Sequence, residues 1–316
     1  MCMNYKRNLL RSTEKEGFES KDSKIKAVSS FEGPLWLANE NVYIDPKDKS
    51  EVEFPSIKDK DSLYLSLIVP AYNEQDRLPT MLDETLRYLK QKSKKDLKFS
   101  YEIIIVDDGS KDKTSEIVST YIQRESVDKI RLLKLKKNRG KGGAIKRGML
   151  CARGKYCLMV DADGATDIND FDRVEDTMKQ IEKKGQAIVC GSRSHLIDSD
   201  VVAKRSALRN ILMYGFHLFV ETLCVKGIKD TQCGFKLFSR DTVKVVFSNL
   251  HIERWAFDVE LLFIAQQLNI PISEVAVNWT EIDGSKLDPF SSSIQMAKDI
   301  LRIRLRYLFR IWTLKK

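Results

Sequence analysis

The chain has 316 residues, 54 Lys and Arg against 45 Asp and Glu, and a formal net charge of +9. That length can bury a large core in one large or two modest domains, and the basic balance favours an anionic partner, whether a phosphorylated substrate, an acidic membrane or a nucleic acid. A spanning helix is excluded: no segment reaches roughly 18 uncharged apolar residues, and the closest, residues 211–225, is broken by His217 and Glu221 and reads as buried or interfacial. The six cysteines form no C-x-x-C pair, which fits a reduced compartment.

Residues 1–60 are polar, rich in Lys, Glu, Asp and Ser, and read as an extension that is disordered in part. Order is expected to begin at the β-rich run 63–69, stopped by Pro70. Leu78, Met81, Leu82, Leu86 and Leu89 then recur at helical spacing. A second strand over 101–106 ends in an acidic turn and is followed by a helix over 114–124. Next come a strand at 130–135, a glycine-rich loop, a helix at 142–152 and a strand at 156–160 that ends in a second acidic turn. Strands alternating with helices at this spacing predict an α/β fold with a mostly parallel, doubly wound sheet, assigned here to a domain over 61–290. Past 187–190 the pattern turns to loops and longer helices. The segment 291–316 predicts a basic amphipathic helix, with Leu301, Leu305, Leu308, Phe309 and Trp312 on one side and Arg302, Arg306 and Arg310 on a neighbouring stripe. Such a pattern suits an anionic membrane surface; it equally suits a helix packed on its own domain with a solvated basic edge.

The acidic turns carry the chemistry. Val106-Asp107-Asp108-Gly109-Ser110 and Val160-Asp161-Ala162-Asp163-Gly164 both place carboxylates at the C-terminal end of a strand, where open α/β sheets bind ligands. An Asp-x-Asp there can aim hard oxygens at Mg2+ or Mn2+, with substrate phosphates completing the shell. Either turn alone is ordinary turn and cap chemistry, but the two together, one βαβ unit apart, favour a nucleoside diphosphate. Pro70-Ala71-Tyr72-Asn73-Glu74 offers an aromatic ring and exposed backbone at the crevice edge. Asn138-Arg139-Gly140-Lys141-Gly142-Gly143-Ala144 resembles a phosphate loop without being a Walker A motif, and reads equally as a flexible basic turn. Arg193, Arg205 and Arg209 can bind phosphate oxygens. Asp258 and Glu260 lie two apart among aromatics, with an ion-paired helix start as the plain alternative. His195, His217 and His251 show no metal-ligand spacing, and no Gly-x-Ser-x-Gly nucleophile motif occurs.

In this order the motifs, together with Gly191-Ser192-Arg193, Asp230-Thr231-Gln232-Cys233-Gly234-Phe235-Lys236 and Asn278-Trp279-Thr280-Glu281, make residues 52–313 resemble the inverting family 2 glycosyltransferases of the GT-A fold, especially their eukaryotic branch acting on dolichyl phosphate. The resemblance implies glucose transfer from UDP-glucose to dolichyl phosphate. Pro70, Ala71, Tyr72, Glu74, Asp107, Asp108 and Lys141 would contact the nucleotide. Asp161, Ala162 and Asp163 would meet the diphosphate, the carboxylates through Mg2+ or Mn2+. Arg193, Arg205 and Arg209 would take the acceptor phosphate, and residues 230–236 would help shape the sugar and acceptor site. Asp163, Asp258 and Glu260 stand as the catalytic candidates, the last two more as positioning groups than as proton acceptors. Members of this kind carry an N-terminal membrane anchor, whereas residues 1–31 are polar and charged. The expectation is therefore peripheral attachment at the endoplasmic reticulum membrane, through 211–225 and the C-terminal helix, with the catalytic domain facing the cytosol. A homo-oligomer is left open. The competing readings are mannosyl transfer to dolichyl or polyprenyl phosphate, and a non-catalytic basic protein binding membrane or nucleic acid. Carboxylates at the centre of the site disfavour nucleic acid, so none is expected as a partner.

Overall fold

The computed structural model describes residues 40–45, 48–197, 219–282 and 289–315. A short antiparallel hairpin, β1 (Val42–Ile44) with β2 (Glu51–Glu53), comes first. Structure thus begins ahead of the expected start at Leu63. The hairpin is held by contacts the sequence does not advertise: Tyr43 packs edge-on against Phe54 with ring centroids 5.1 Å apart, and Ile57 is buried in the core.

The main sheet comprises β3 (Leu63–Ala71), β4 (Tyr101–Asp107), β5 (Ile130–Lys134), β6 (Gly154–Met159), β7 (Ile188–Ser192), β8 (Lys236–Ser239) and β9 (Ile272–Ala276), in the order β5-β4-β3-β6-β8-β7-β9. All neighbours are parallel except β8, which runs antiparallel to both β6 and β7. Helices α1 (Leu78–Lys95), α2 (Thr114–Glu125), α3 (Lys141–Leu150) and α4 (Phe171–Ile181) alternate with the first strands. The short α5 (Ser194–Ile197), α6 (Arg240–Asn249), α7 (Phe257–Gln267) and α8 (Pro289–Leu308) follow.

Side chains of a strand alternate between faces, and β3 shows the consequence. Leu65, Leu67 and Val69 join one core with Leu78, Leu82, Val118 and Phe171 of α1, α2 and α4. Ile68 joins the other with Ile145, Val246 and Leu262 of α3, α6 and α7. A central strand covered on both faces needs a nearly continuous apolar run, which explains why β3 and β4 read so clearly.

The C-terminal helix corrects one grouping. Ile300 and Ile303 are buried against the domain, while Leu301, Leu305, Leu308 and Phe309 are exposed, so α8 is apolar on two sides. Trp312 goes with the buried side, packed against the same core as Ile300 and Ile303. It lies past the helix end and stacks on His251, with centroids 4.2 Å apart and planes 4° off parallel. Among the described residues, no helix is long and apolar enough to cross a membrane.

Candidate active site

The crevice opens where the chain changes direction across the sheet. From β3 the connections run outward through β4 to β5; the chain then crosses back to place β6 on the other flank of β3. Open α/β sheets bind ligands at the carboxyl ends of strands at such a switch point. Pro70 marks it. The amide of Asp108 donates to the carbonyl of Ala71, so Ala71 faces β4, and Pro70, one residue earlier in an extended chain, faces β6. The last bond on the β6 side runs from the Val160 amide to the Ile68 carbonyl, and the next would need the N–H that proline lacks, so the pairing ends there.

Asp161 stands just past β6. Its Oδ1 lies 2.6 Å from the Lys141 ammonium at the start of α3, and its carboxylate lies against Gly234, where any Cβ would fall 2.0 Å from Oδ2. Glycine at 234 is therefore needed for Asp161 to sit there. Burial acts to raise Asp161, but Lys141 first, then Lys236 and Arg193, hold its carboxyl below the ordinary aspartate value. Asp163 is half-buried and accepts the amide of Ala165 at 3.0 Å. Ala162 between them is buried.

Deeper lies a second pair. Lys236, wholly buried, donates to Asp258 Oδ1 at 2.6 Å and to the carbonyl of Cys233 at 2.7 Å. Burial pulls the ammonium down, yet Asp258 first, with Cys190 and Cys233, holds it above the ordinary lysine value. Lys141 also feels Asp258, so Asp161, Lys141, Asp258 and Lys236 form one alternating set of charges running from the crevice into the core. Glu260 does not join it. Two residues along a helix turn a side chain about 200°, and Glu260 instead accepts the amides of His251 and Ile252 at 3.0 and 2.6 Å and the Tyr307 hydroxyl at 3.0 Å.

The carboxylates of the first acidic turn also bind their own loops. Asp107 accepts the Ser110 amide at 2.8 Å and the Ser115 hydroxyl; Asp108 accepts the amides of Arg139 and Gly140 at 2.7 and 2.8 Å. Burial still pushes Asp108 up to about 6, ahead of the lowering by these amides. The glycine-rich loop is likewise packed more tightly than a bare phosphate cradle. A Cβ at Gly142 would fall 2.6 Å from that of Phe257, and Gly143 donates its amide to the Glu253 carbonyl at 2.8 Å. Glu74 grips Arg77 through both its oxygens, at 2.7 and 2.6 Å. Tyr72 stays 38% exposed at the rim.

Arg193 makes a two-pronged contact with Asp230, Nε to Oδ2 at 2.7 Å and a terminal nitrogen to Oδ1 at 2.9 Å, and lies 5.6 Å from the Trp279 ring. Arg205 and Arg209 lie outside the described residues. Sequence reasoning passes over Arg77: burial acts to lower its guanidinium, but Glu74, then Asp163 and Asp161, hold it above the ordinary arginine value. Its spacing from Glu74 gives no hint that the carboxylates of the Asp-x-Asp also act on it. Lys236 enters there only as the end of a segment, because a lysine in an apolar strand carries no motif.

A mostly parallel sheet with an Asp-x-Asp at its switch point is the plan of the GT-A glycosyltransferases. A family model described as glycosyl transferase family 2 matches residues 66–247, and the chain belongs to that family. It is 71% identical over 288 residues to a dolichyl-phosphate beta-glucosyltransferase of Dictyostelium discoideum, covering 90% of this chain and 88% of the relative. It is 53% identical to the protein of the same name in Homo sapiens, over 88% of this chain and 86% of the relative. Among solved structures, mannosyl-3-phosphoglycerate synthase from Rubrobacter xylanophilus superposes with a TM-score of 0.50 at 17% identity, covering 80% of this chain and 77% of that one.

Proposed function

We propose that this hexosyltransferase moves glucose from UDP-glucose to dolichyl phosphate with inversion, giving dolichyl β-D-glucosyl phosphate and UDP, the lipid-linked glucose donor for N-glycan precursor assembly. The observation that carries this reading is identity of 71% and 53% across nearly the whole chain to relatives that bear this activity in their names. An acceptor phosphate oxygen bonds to glucose C1 as the bond from C1 to the β-phosphate oxygen of UDP breaks, its electron pair leaving on UDP. The acceptor phosphate is already an anion near neutral pH, so the step has little need of a general base. Asp258 then serves chiefly to hold Lys236, and Glu260, turned away, to fix the start of α7.

Asp161 and Asp163 would hold Mg2+ or Mn2+. Among the described residues, no group of three or more His, Cys, Asp or Glu gathers to hold a metal. The protein thus offers a foothold of two carboxylates, the number Mg2+ takes when substrate phosphates supply the rest. The Lys141 ammonium on Asp161 already marks the position as attractive to a cation. When bound, the ion stabilises charge on the leaving diphosphate. Pro70 to Tyr72 would line the nucleotide, and Arg193, with Arg205 and Arg209, would face the acceptor phosphate.

A lipid acceptor requires interfacial contact. The exposed Leu301, Leu305, Leu308 and Phe309, flanked by Arg302, Arg306 and Arg310, would rest on the cytosolic face of the endoplasmic reticulum membrane. The test is transfer of labelled glucose to dolichyl phosphate in detergent, with and without divalent metal. Metal-dependent product lost in Asp163→Ala is expected. Product from GDP-mannose alone would move the protein to mannosyl transfer.

A further inference from the structure

Glu40 lies ahead of the residues that the family model covers, yet its carboxylate reaches the glycine-rich loop. Oε1 accepts the Lys136 amide at 2.9 Å and Oε2 accepts from the Arg139 guanidinium at 2.7 Å. The pair is partly shielded, with the side chains 13% and 32% exposed. From another segment, Asp108 takes the amides of Arg139 and Gly140. The same N-terminal stretch also grips α3. Arg147 donates to the Glu40 carbonyl at 3.1 Å and to Asn41 Oδ1 at 2.7 Å, and Ile57 donates its amide to the carbonyl of Leu150 at 2.8 Å. The loop ahead of the helix that begins with Lys141, and the second half of that helix, are thereby tied to residues 40, 41 and 57.

Gly140 ends the loop at a φ of 87° and α3 has Gly142 and Gly143 in its first turn, so this stretch has much conformational freedom to lose on ordering. Whatever orders it beforehand removes that cost from ligand binding. We infer that Glu40 is a positioning residue for the nucleotide site: it fixes residues 136–140 and so sets Lys141 against Asp161. The β1-β2 hairpin is then part of the binding apparatus rather than an appendage. This inference rests on the function proposed above, with Lys141 beside the diphosphate of UDP-glucose.

The experiment uses the full chain, comparing wild type with Glu40→Gln and Glu40→Asp by initial rates and by calorimetric binding of UDP. For Glu40→Gln, KM for UDP-glucose and Kd for UDP should each rise about tenfold, a shift equivalent to about 1.4 kcal/mol. The KM for dolichyl phosphate and kcat should hold steady, and Glu40→Asp should recover much of the loss. An unchanged KM for UDP-glucose in Glu40→Gln would overturn the inference. So would a fall in kcat at constant KM, the mark of a smaller folded fraction. Wild-type protein that binds no UDP and uses no UDP-glucose would instead remove the functional reading, and the inference with it.

Discussion

Buried charges gather at both edges of the central sheet, and they serve different ends. At the amino edge, Glu102 of β4 accepts the Ser66 hydroxyl at 2.6 Å, the Arg153 amide at 2.7 Å, Arg153 Nε at 2.9 Å and the Arg131 guanidinium. Arg131 lies beneath the hairpin, 5.5 Å and 5.3 Å from the rings of Tyr43 and Phe54. Both charges of that central pair are 1% exposed, and Arg153 on its outer side is 24% exposed. At the carboxyl edge, Lys236 and Asp258 are just as deep, and their neighbours open outward too: Lys141 is 17% and Asp161 32% exposed. A buried ion pair alone therefore does not mark a site. What distinguishes the carboxyl edge is its place at the switch point of the sheet and an outermost member that is a carboxylate, Asp161, where the amino edge ends in the arginine Arg153.

The sharpest way to break this contrast is Glu102→Gln. Removing one partner of a buried pair leaves the other charge uncompensated, and the expected loss is about 3–5 kcal/mol in urea unfolding. KM for UDP-glucose of the folded fraction should not move; a specific rise would place the amino edge in the function. Asp163→Ala should do the reverse. A fall in kcat/KM on the order of 10²–10³, about 2.7–4 kcal/mol, is expected with little change in Tm, and chelation of the metal should reproduce it.

Asp258→Asn tests the carboxyl-edge set itself. It should cost stability by stranding Lys236 and also weaken transfer, since Lys141 feels the same carboxylate. Unaltered kinetics in the face of a lower Tm would divide the core pair from the crevice pair.

The smallest effect concerns Asp108. Its carboxyl is raised from 3.8 to about 6, so between those values the folded chain holds more protons than the unfolded one. This group's contribution to stability is consequently present at low pH and lost as pH rises through about 6. Thermal unfolding across that window should fall more steeply with pH in wild type than in Asp108→Asn. Parallel profiles would refute the assignment.

The long strands and their helices were legible because two-sided burial of β3 and β4 forces apolar runs and α1 follows a strict helical period. The expected strands at 63–69 and 101–106 match β3 and β4 to within two residues at their carboxyl ends. The antiparallel β8 was not legible. Its four residues, Lys236 to Ser239, include a charged side chain, and only the paired Asp258 some twenty residues on makes burial of that lysine tolerable. The hairpin was missed for a related reason, since its two three-residue strands sit in a polar stretch and are fixed by rings and arginines from distant segments.

The sequence by itself determined the parallel architecture and the placement of acidic turns at strand ends, because periodicity and turn chemistry are local properties that survive without neighbours. Only the tertiary structure decided which groups each acid meets. Asp107, Asp108 and Glu260 are occupied by amides and hydroxyls, whereas Asp161 meets Lys141, and that division depends on partners brought together by folding. A carboxylate's role follows from what occupies its lone pairs, and spacing along the chain does not record it.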